Sequence, residues 1–304
     1  MLTDLTDTTT ADIRAALAKT RDQMGGPATG VVLNLIIVTD ESGQHDAVRA
    51  ASQAGREHPC RVLAVITREA RAASRLDAEI RSGEGTPGQT VLLRLYGPMS
   101  EHADSVIQPL LVPDTPVVTW WHGLLPAVPS AQPLGLLAQR RITDAARAKA
   151  PTEALAALSA GYKPGDTDLS WTRATPWRSL LAATVDQEEH EIIGGLVGAE
   201  EHNPTADLLT AWLSSKLRVH FTCEASGGPG ITEVRMVTTA GDVVISRPDG
   251  RVATLTRPDQ PDRHVALQRR DLADLLAEEL RRLDPDEIYG EALAFVAGIP
   301  ATTG

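Results

Sequence analysis

The sequence has few aromatic residues, few cysteines and no long apolar run. Aromatic side chains make up 3% of the 304 residues, and only two cysteines and four lysines occur. No apolar run approaches the ~18 to 20 residues that cross a bilayer, and the longest, 31–38, is interrupted by Asn34. Cys60 and Cys223 each lie inside an apolar run, which predicts two buried thiols. The sequence therefore predicts no transmembrane helix.

Positive charge is also scarce. The chain has 29 Lys and Arg against 40 Asp and Glu, a formal net charge of -11 at pH 7. Nucleic-acid and anionic membrane surfaces are bound by clustered basic side chains, so this balance argues against both as partners. The acidic, polar start Met1–Asp4 is unlike a signal peptide, which predicts a cytoplasmic location.

Composition and length indicate a globular protein of about two domains. Hydrophobic residues make up 42% and charged residues 23%, as in ordinary globular chains. The apolar run at 31–38, a helical pattern at 46–56 and a second apolar run at 62–66 form one βαβ unit. The sequence predicts an α/β domain over residues 1–175.

Further elements complete this N-terminal domain. Apolar and charged residues alternate over 75–81, and apolar positions alternate again over 91–95, which predicts a half-solvated antiparallel hairpin. We expect a helix over 101–111, a strand over 117–120 and a Pro/Gly-rich loop over 123–136. Together the patterns predict a three-layer domain with a mixed sheet.

The sequence pattern changes from helical to short strand-like runs at Val219, and residues 176–304 are predicted to form an α+β domain. Helical patterns begin at Pro176 and Pro204, and two more follow Asp271 and Asp284, the latter expected as an N-cap. Between them lie five short strand-like runs separated by turns too short for helical crossovers, which predicts an antiparallel meander. These runs are 219–223, 231–238, 242–246, 252–256 and 264–267.

The motifs that would signal catalysis are incomplete. Residues 83–88 match G-x-G-x-x-G, but they join two alternating strands, which favours a hairpin turn over a nucleotide loop. His190–Ile193 is half of an H-E-x-x-H zinc motif without its second histidine, and is interpreted as a solvated helix face. His58 and Cys60 lack a third orienting group. We therefore predict no catalytic residue, no metal site and no cofactor.

The tryptophans are unevenly placed. Four of the five fall in two segments: Trp120 and Trp121 end an apolar run, and Trp171 and Trp177 lie in a stretch interpreted as a loop entering a helix. Tryptophan beside arginine is the combination enriched at binding hot spots. The alternative is that these tryptophans pack the interior of the first domain against the domain junction, as most tryptophans do.

The stretch Gly165–Arg173, continued by Pro176–Arg178, resembles the OpcA-type glucose-6-phosphate dehydrogenase assembly proteins. Trp120–Trp121, Arg141–Asp144 and Glu57–Val62 fit the same family, and the resemblance covers almost the whole chain. It implies a protein of two domains that is not an enzyme, binds glucose-6-phosphate dehydrogenase and promotes its active oligomer. In photosynthetic relatives it also implies thiol-dependent regulation.

On this basis one set of residues is predicted to form or support the surface that contacts the dehydrogenase. It comprises Trp120, Trp121, Asp166, Asp168, Trp171, Arg173, Trp177 and Arg178. An alternative of another class is an enzyme or sensor of the same pathway, binding a phosphosugar or nucleotide at the carboxyl ends of the N-terminal strands. The loops at 39–43 and 121–123 are its expected site.

Overall fold

The computed structural model describes residues 1–23, 31–68, 71–82 and 89–298. These residues form two compact units, each assembled from three segments of the chain. Unit 1 contains Met1–Asp144, Gly165–Thr167 and Leu272–Pro285, and unit 2 contains Ala145–Pro164, Asp168–Asp271 and the residues from Asp286 onward. These units are defined by contacts and not by independent folding. The domain boundary between residues 175 and 176 therefore stays a prediction.

Strands and helices alternate through the first half of the chain and segregate in the second. The strands are β1 (Leu2–Leu5), β2 (Leu33–Thr39), β3 (Cys60–Thr67), β4 (Arg75–Arg81), β5 (Thr90–Tyr96), β6 (Val117–His122), β7 (Arg140–Thr143), β8 (Asp166–Asp168), β9 (Ile192–Ala199), β10 (Phe221–Ala225), β11 (Ile231–Thr238), β12 (Gly241–Ser246), β13 (Val252–Thr256) and β14 (Arg263–Ala266). The helices are α1 (Thr10–Gln23), α2 (Gln44–Ala54), α3 (Ala103–Ile107), α4 (Pro133–Leu136), α5 (Pro151–Gly161), α6 (Leu169–Arg173), α7 (Thr175–Val185), α8 (Pro204–Leu217), α9 (Leu272–Arg281) and α10 (Glu287–Val296). None of the helices in these ranges is long and apolar enough to cross a membrane.

Unit 1 is built on an eight-stranded mixed sheet in the order β1-β4-β5-β3-β2-β6-β7-β8. Strands β5, β3, β2, β6 and β7 run parallel, whereas β4 is antiparallel to both β5 and β1. The βαβ unit and the hairpin pairing are confirmed, but β5 is buried over Thr90–Leu93 rather than half-solvated. The turn predicted at 83–88 lies outside the described residues.

Helices cover both faces of this sheet. On one face, Ile13 of α1, Ile36 of β2, Leu63 of β3 and Val106 of α3 belong to one buried cluster. Alternate residues of a strand point to opposite faces, so Leu35 lies on the other face. There α2 contacts β2 and β3, and it also packs against α9. The three-layer architecture is thus confirmed.

Two local expectations in unit 1 are wrong, a continuous helix and a continuous loop. The helix expected over 101–111 is interrupted: Gly97–His102 and Gln108–Leu110 are 3-10 turns on either side of the short α3. Pro98 and Pro109 lie in those turns, and neither has an N–H for an α-helical hydrogen bond. The loop expected over 123–136 contains a 3-10 turn at Pro129–Ala131 and the helix α4.

Unit 2 contains a six-stranded sheet in the order β10-β9-β11-β12-β13-β14. The antiparallel meander of β11 to β14 is confirmed. The first predicted run, β10, is not part of it, because β9 lies between β10 and β11 and is parallel to β10. The interpretation of His190–Ile193 as a helix face is therefore wrong, since Ile192 and Ile193 begin this strand.

Strand β9 has an unfavourable composition for a strand because it contains three glycines, Gly194, Gly195 and Gly198. A Cβ added at Gly195 would lie 2.3 Å from the Arg235 carbonyl oxygen and 2.3 Å from Cε1 of Phe221. Glycine therefore lets the Phe221 ring pack directly over β9. This ring belongs to the buried cluster of unit 2 together with Trp177 and Leu209.

Candidate functional site

The residues that carry the family resemblance begin with a glycine turn into an edge strand. Gly165 has a φ of +94°, a backbone conformation that L side chains rarely adopt. A Cβ at this position would also lie 2.5 Å from the Gln139 carbonyl oxygen. The carbonyl of Gly165 accepts from the Arg141 amide at 2.9 Å, which aligns β8 beside β7. The stretch interpreted as a loop is thus a strand and a helix, β8 and α6.

Asp166 forms a buried ion pair with Arg141 in unit 1. Its Oδ1 accepts from Nε of Arg141, while Nη1 of the same guanidinium donates to the Ala138 carbonyl at 2.9 Å. Both side chains are at most one-tenth exposed. A nearby carboxylate compensates the charge of a buried guanidinium, and Asp166 does so for Arg141 inside the unit.

Asp168 uses both carboxylate oxygens to satisfy backbone N–H groups in unit 2. Oδ1 accepts from the Ser170 amide at 2.8 Å and so caps helix α6, and Oδ2 accepts from the Ala145 amide at 2.8 Å. The residue is fully buried. An N-cap contributes about 1 kcal/mol, and the second bond joins α6 to the turn at Ala145–Arg147.

Trp171 is held by a hydrogen bond and by an arginine over its ring. Its indole Nε1 donates to Oδ2 of Asp286 at 2.8 Å, and Oδ1 of Asp286 caps α10 by accepting from the Tyr289 amide at 2.9 Å. Asp286, rather than the expected Asp284, is therefore the N-cap of this helix. The Arg178 guanidinium lies 3.6 Å from the centre of the Trp171 ring, a cation–π contact.

Trp177 packs against a second arginine of unit 2. Its ring centre lies 4.9 Å from the guanidinium carbon of Arg247, a residue that the sequence interpretation did not single out. The only sequence signal for Arg247 is that an arginine ends the strand pattern of β12, and this is too common to be informative. Trp177 of the motif therefore contacts the residue that follows strand β12 of the meander.

The predicted partner-binding residues are divided between the two units and differ in exposure. Trp120, Trp121 and Asp166 belong to unit 1, and the other five belong to unit 2. All four tryptophans are buried, but Trp177 belongs to the buried cluster of unit 2 and not, as the alternative interpretation expects, to the interior of the first domain. Arg173 and Arg178 are half-buried, so they retain accessible surface.

Trp120 and Trp121 occupy different environments on the central strand β6. The Trp120 ring lies edge-on to His122 at 4.9 Å, and its Nε1 is buried with no hydrogen-bond partner among the described residues. Trp121 packs on the other face, since a Cβ at Gly135 would lie 3.3 Å from its ring. Both side chains therefore belong to the interior of unit 1.

The two loops expected for a phosphosugar or nucleotide lie together in unit 1. Thr39 and Gly123 form an isolated β-bridge, and a Cβ at Gly43 would lie 2.8 Å from Thr39 Oγ1 and 3.1 Å from the His122 ring. The two loops follow the neighbouring strands β2 and β6. The chain adds β3 on one side of β2 and later adds β6 on the other side, so the strand order reverses between β2 and β6. Open α/β sheets bind ligands at this position.

Asp40 already occupies the anion-attracting end of helix α2 at that position. Its Oδ1 accepts from the Ser42 hydroxyl and from the Gly43 amide, both at 2.7 Å. These bonds hold the pKa of Asp40 below its usual value, so the carboxylate is charged at neutral pH. A bound phosphate at this helix end would meet that negative charge.

The two cysteines are poor thiolates. Burial raises the pKa of Cys60 to about 12, and burial together with the nearby Asp207 raises the pKa of Cys223 to about 11. Cys60 is fully buried as predicted, whereas Cys223 is partly exposed. Reactive thiols have a lowered pKa, so these values favour structural roles.

The described residues contain no group of three or more His, Cys, Asp or Glu side chains able to hold a metal ion. An open depression of about 420 Å³ lies in unit 2 at the end of α8. It is lined by Ser214, Ser215, Arg218, Val219, His220 and Phe295, none of which the sequence interpretation had selected.

These features define a two-unit α/β protein whose most distinctive sequence stretch contributes a buried aspartate to unit 1 and buried tryptophans and a second buried aspartate to unit 2. Two family profiles match the chain, described as the glucose-6-phosphate dehydrogenase subunit N-terminal domain, over residues 51–160, and C-terminal domain, over residues 164–293. The chain belongs to the OpcA family of glucose-6-phosphate dehydrogenase assembly proteins. A search among curated proteins found no match.

Proposed function

We propose that this protein is a non-catalytic assembly factor that binds glucose-6-phosphate dehydrogenase in the cytoplasm and favours its active oligomer. The observation that carries the proposal is the match to both domains of a dehydrogenase subunit family, which together span residues 51–293. The oxidative pentose phosphate pathway, to which the dehydrogenase belongs, is then the pathway that the protein regulates.

Activation by such a partner has a thermodynamic requirement. The partner must bind the active form of the dehydrogenase more tightly than the inactive form, because equal affinity for both shifts nothing. A tenfold shift in the equilibrium needs about 1.4 kcal/mol of differential binding. A few well-placed contacts are therefore sufficient.

The motif stretch supports this role through a framework of fixed side chains. Buried Trp171 and Trp177 carry Arg178 and Arg247 on their rings. Arg173 and Arg178 retain exposed surface and are the candidates for direct contact. The buried residues Trp171, Trp177 and Asp168 of the same unit then act by holding this surface, whereas Trp120, Trp121 and Asp166 support the fold of unit 1.

The first experiment titrates the protein into the dehydrogenase of the same organism and follows turnover together with the mass of the complex. A saturable increase in turnover with a co-eluting complex is expected. Unchanged turnover without a complex would refute the proposal. Replacing Arg173 or Arg178 by alanine should weaken the complex, whereas Arg14→Ala, an exposed arginine in α1, should leave it unchanged.

The role of Trp171 is tested separately because the side chain is buried. Trp171→Phe retains an aromatic ring under Arg178 but loses the hydrogen bond to Asp286. Weaker complex formation by a folded Trp171→Phe protein is expected if the framework positions the contact surface. Full binding by this variant would show that the framework serves stability alone.

A second candidate is a phosphosugar or nucleotide sensor. The observation that favours it is the meeting of Thr39 and Gly123 at the reversal of strand order. The charged Asp40 opposes a phosphate at this place. A thermal shift of the isolated protein with glucose 6-phosphate, 6-phosphogluconate or NADP would support a sensor, and Asp40→Asn should strengthen that binding.

A further inference from the structure

Arg247 is a buried arginine whose partners are neutral. Only 5% of the residue is exposed. Nη1 donates to the Leu267 carbonyl at 2.8 Å and Nη2 to the Ile231 carbonyl at 2.9 Å, while Nε is buried with no hydrogen-bond partner among the described residues. The Trp177 ring contributes a cation–π contact. The positive charge is thus solvated by dipoles and a ring, and not by a carboxylate.

Arg269 brings a second guanidinium to the same place. Its backbone N–H donates to the Gly250 carbonyl at 3.1 Å. Its alkyl chain lies over Gly250, where an added Cβ would be 3.3 Å from Cδ. A Cβ at Gly230 would be 3.9 Å from Nε of Arg269 and 3.8 Å from Nη2 of Arg247. The two guanidinium groups therefore both approach Gly230, and of the two arginines Arg269 is the exposed one.

The charge of Arg247 is compensated only in part. Burial and then the charge of Arg269 lower the pKa of Arg247 to about 10, against the opposing charge of Asp249, so Arg247 remains positive at neutral pH. The nearby carboxylate, Asp249, accepts from the backbone amides of Arg251 and Val252 at 2.8 and 3.1 Å. In the described part of the chain, no carboxylate forms an ion pair with Arg247 or Arg269.

The local charge balance is opposite to that of the whole protein. Arg247, Arg251 and Arg269 lie near Asp249 at this end of the meander, in a chain whose formal net charge is -11. Arg251, like Arg269, is exposed at this end of the meander. A positive patch on an acidic protein attracts negative surfaces of a partner, and it does so most strongly at low ionic strength.

We propose that Arg269, backed by the buried charge of Arg247, binds a carboxylate on the surface of glucose-6-phosphate dehydrogenase. The inference rests on the proposed function and adds a surface and a chemistry to it. The planar fork of an arginine binds a carboxylate through two parallel hydrogen bonds. Arg269 is accessible for this contact, and its alkyl chain is already positioned over Gly250. Arg247 acts as a positioning residue and increases the local positive potential.

The test measures the association rate and the dissociation constant of the complex with the dehydrogenase at low and at physiological salt. Arg269→Glu is expected to slow association at least about tenfold at low salt, with a smaller effect at high salt. Arg269→Gln should have an intermediate effect. Arg263→Glu is the matched control, an exposed arginine at the start of β14, and its rate should stay within about twofold of the unaltered protein.

Arg247→Gln tests the positioning role with the same measurement. A weaker salt dependence of association is expected for the folded variant, because one positive charge is removed while Arg269 remains. A role in stability alone would lower the unfolding temperature and leave the salt dependence intact, which would overturn the role assigned to Arg247.

The outcomes separate this inference from the function on which it rests. Equal association rates for Arg269→Glu and Arg263→Glu, with the unaltered protein binding well, would overturn the inference and leave the assembly function in place. Failure of the unaltered protein to bind the dehydrogenase at all would overturn both.

Discussion

Asp207 in helix α8 provides a sharp test of the electrostatics of unit 2. Its Oδ2 is buried and has no hydrogen-bond partner among the described residues. Burial raises the pKa of Asp207 from 3.8 to about 6, with a small opposing effect from His202. The folded protein therefore holds a proton on this side chain over a pH range in which the unfolded chain has released it.

The sign and size of the effect follow from linkage. Below pH 3.8 both states are protonated and Asp207 costs nothing. As the pH rises to about 6 the free energy of unfolding falls, because the folded state disfavours the charged form. A shift of about two units at ~1.4 kcal/mol each amounts to about 3 kcal/mol above pH 6. Asp207→Asn removes the charge, so it should raise the free energy of unfolding at pH 7 by up to about this amount.

Urea denaturation from pH 4 to pH 8 measures the difference in the free energy of unfolding between Asp207→Asn and the unaltered protein. The gain of Asp207→Asn over the unaltered protein should be small at pH 4 and should grow until about pH 6. Asp4→Asn, at an exposed position of β1, is the control and should show no such growth. A gain that is constant with pH, or a loss at pH 7, would refute the reasoning that desolvation of the carboxylate governs this site.

Two further predictions concern buried groups. Asp166→Ala leaves Arg141 buried without its carboxylate, so urea denaturation should show that the free energy of unfolding falls by about 3 to 5 kcal/mol. The fall should be smaller for Asp166→Asn, which retains a hydrogen-bond acceptor. Unchanged stability of both variants would refute the ion-pair assignment. Cys60, whose pKa is raised to about 12, should resist iodoacetamide in the native protein at pH 8 and react once urea is added. Rapid native alkylation of Cys60, resolved from that of Cys223 by peptide mass, would contradict the assigned burial.

Elements with a strong local pattern were predictable from the sequence. The apolar run that became β2 is buried on both faces and has no competing interpretation, and the alternation that became β4 identified the hairpin. The meander β11 to β14 followed from short turns that allow only antiparallel pairing.

The elements that could not be predicted depend on partners distant in the chain. Gly195 of strand β9 leaves room for the Phe221 ring, and nothing local signals that contact. The polar residues Asp166 and Asp168 suggest a loop, yet they are buried because Arg141 and the Ala145 amide satisfy them. The family resemblance drew attention to these positions, while their burial required the structure.

The segment Leu272–Pro285 has a consequence for the order in which the protein folds. It belongs to unit 1, where Glu279 pairs with the buried Arg140, whose Nη1 also donates to the Asp284 carbonyl at 2.7 Å. Helix α9 in this segment packs on α2. During synthesis, Arg140 can therefore be neutralised only after Glu279 has left the ribosome. Unit 1 is thus expected to complete its fold after most of unit 2 has been synthesised, rather than as a domain that folds first.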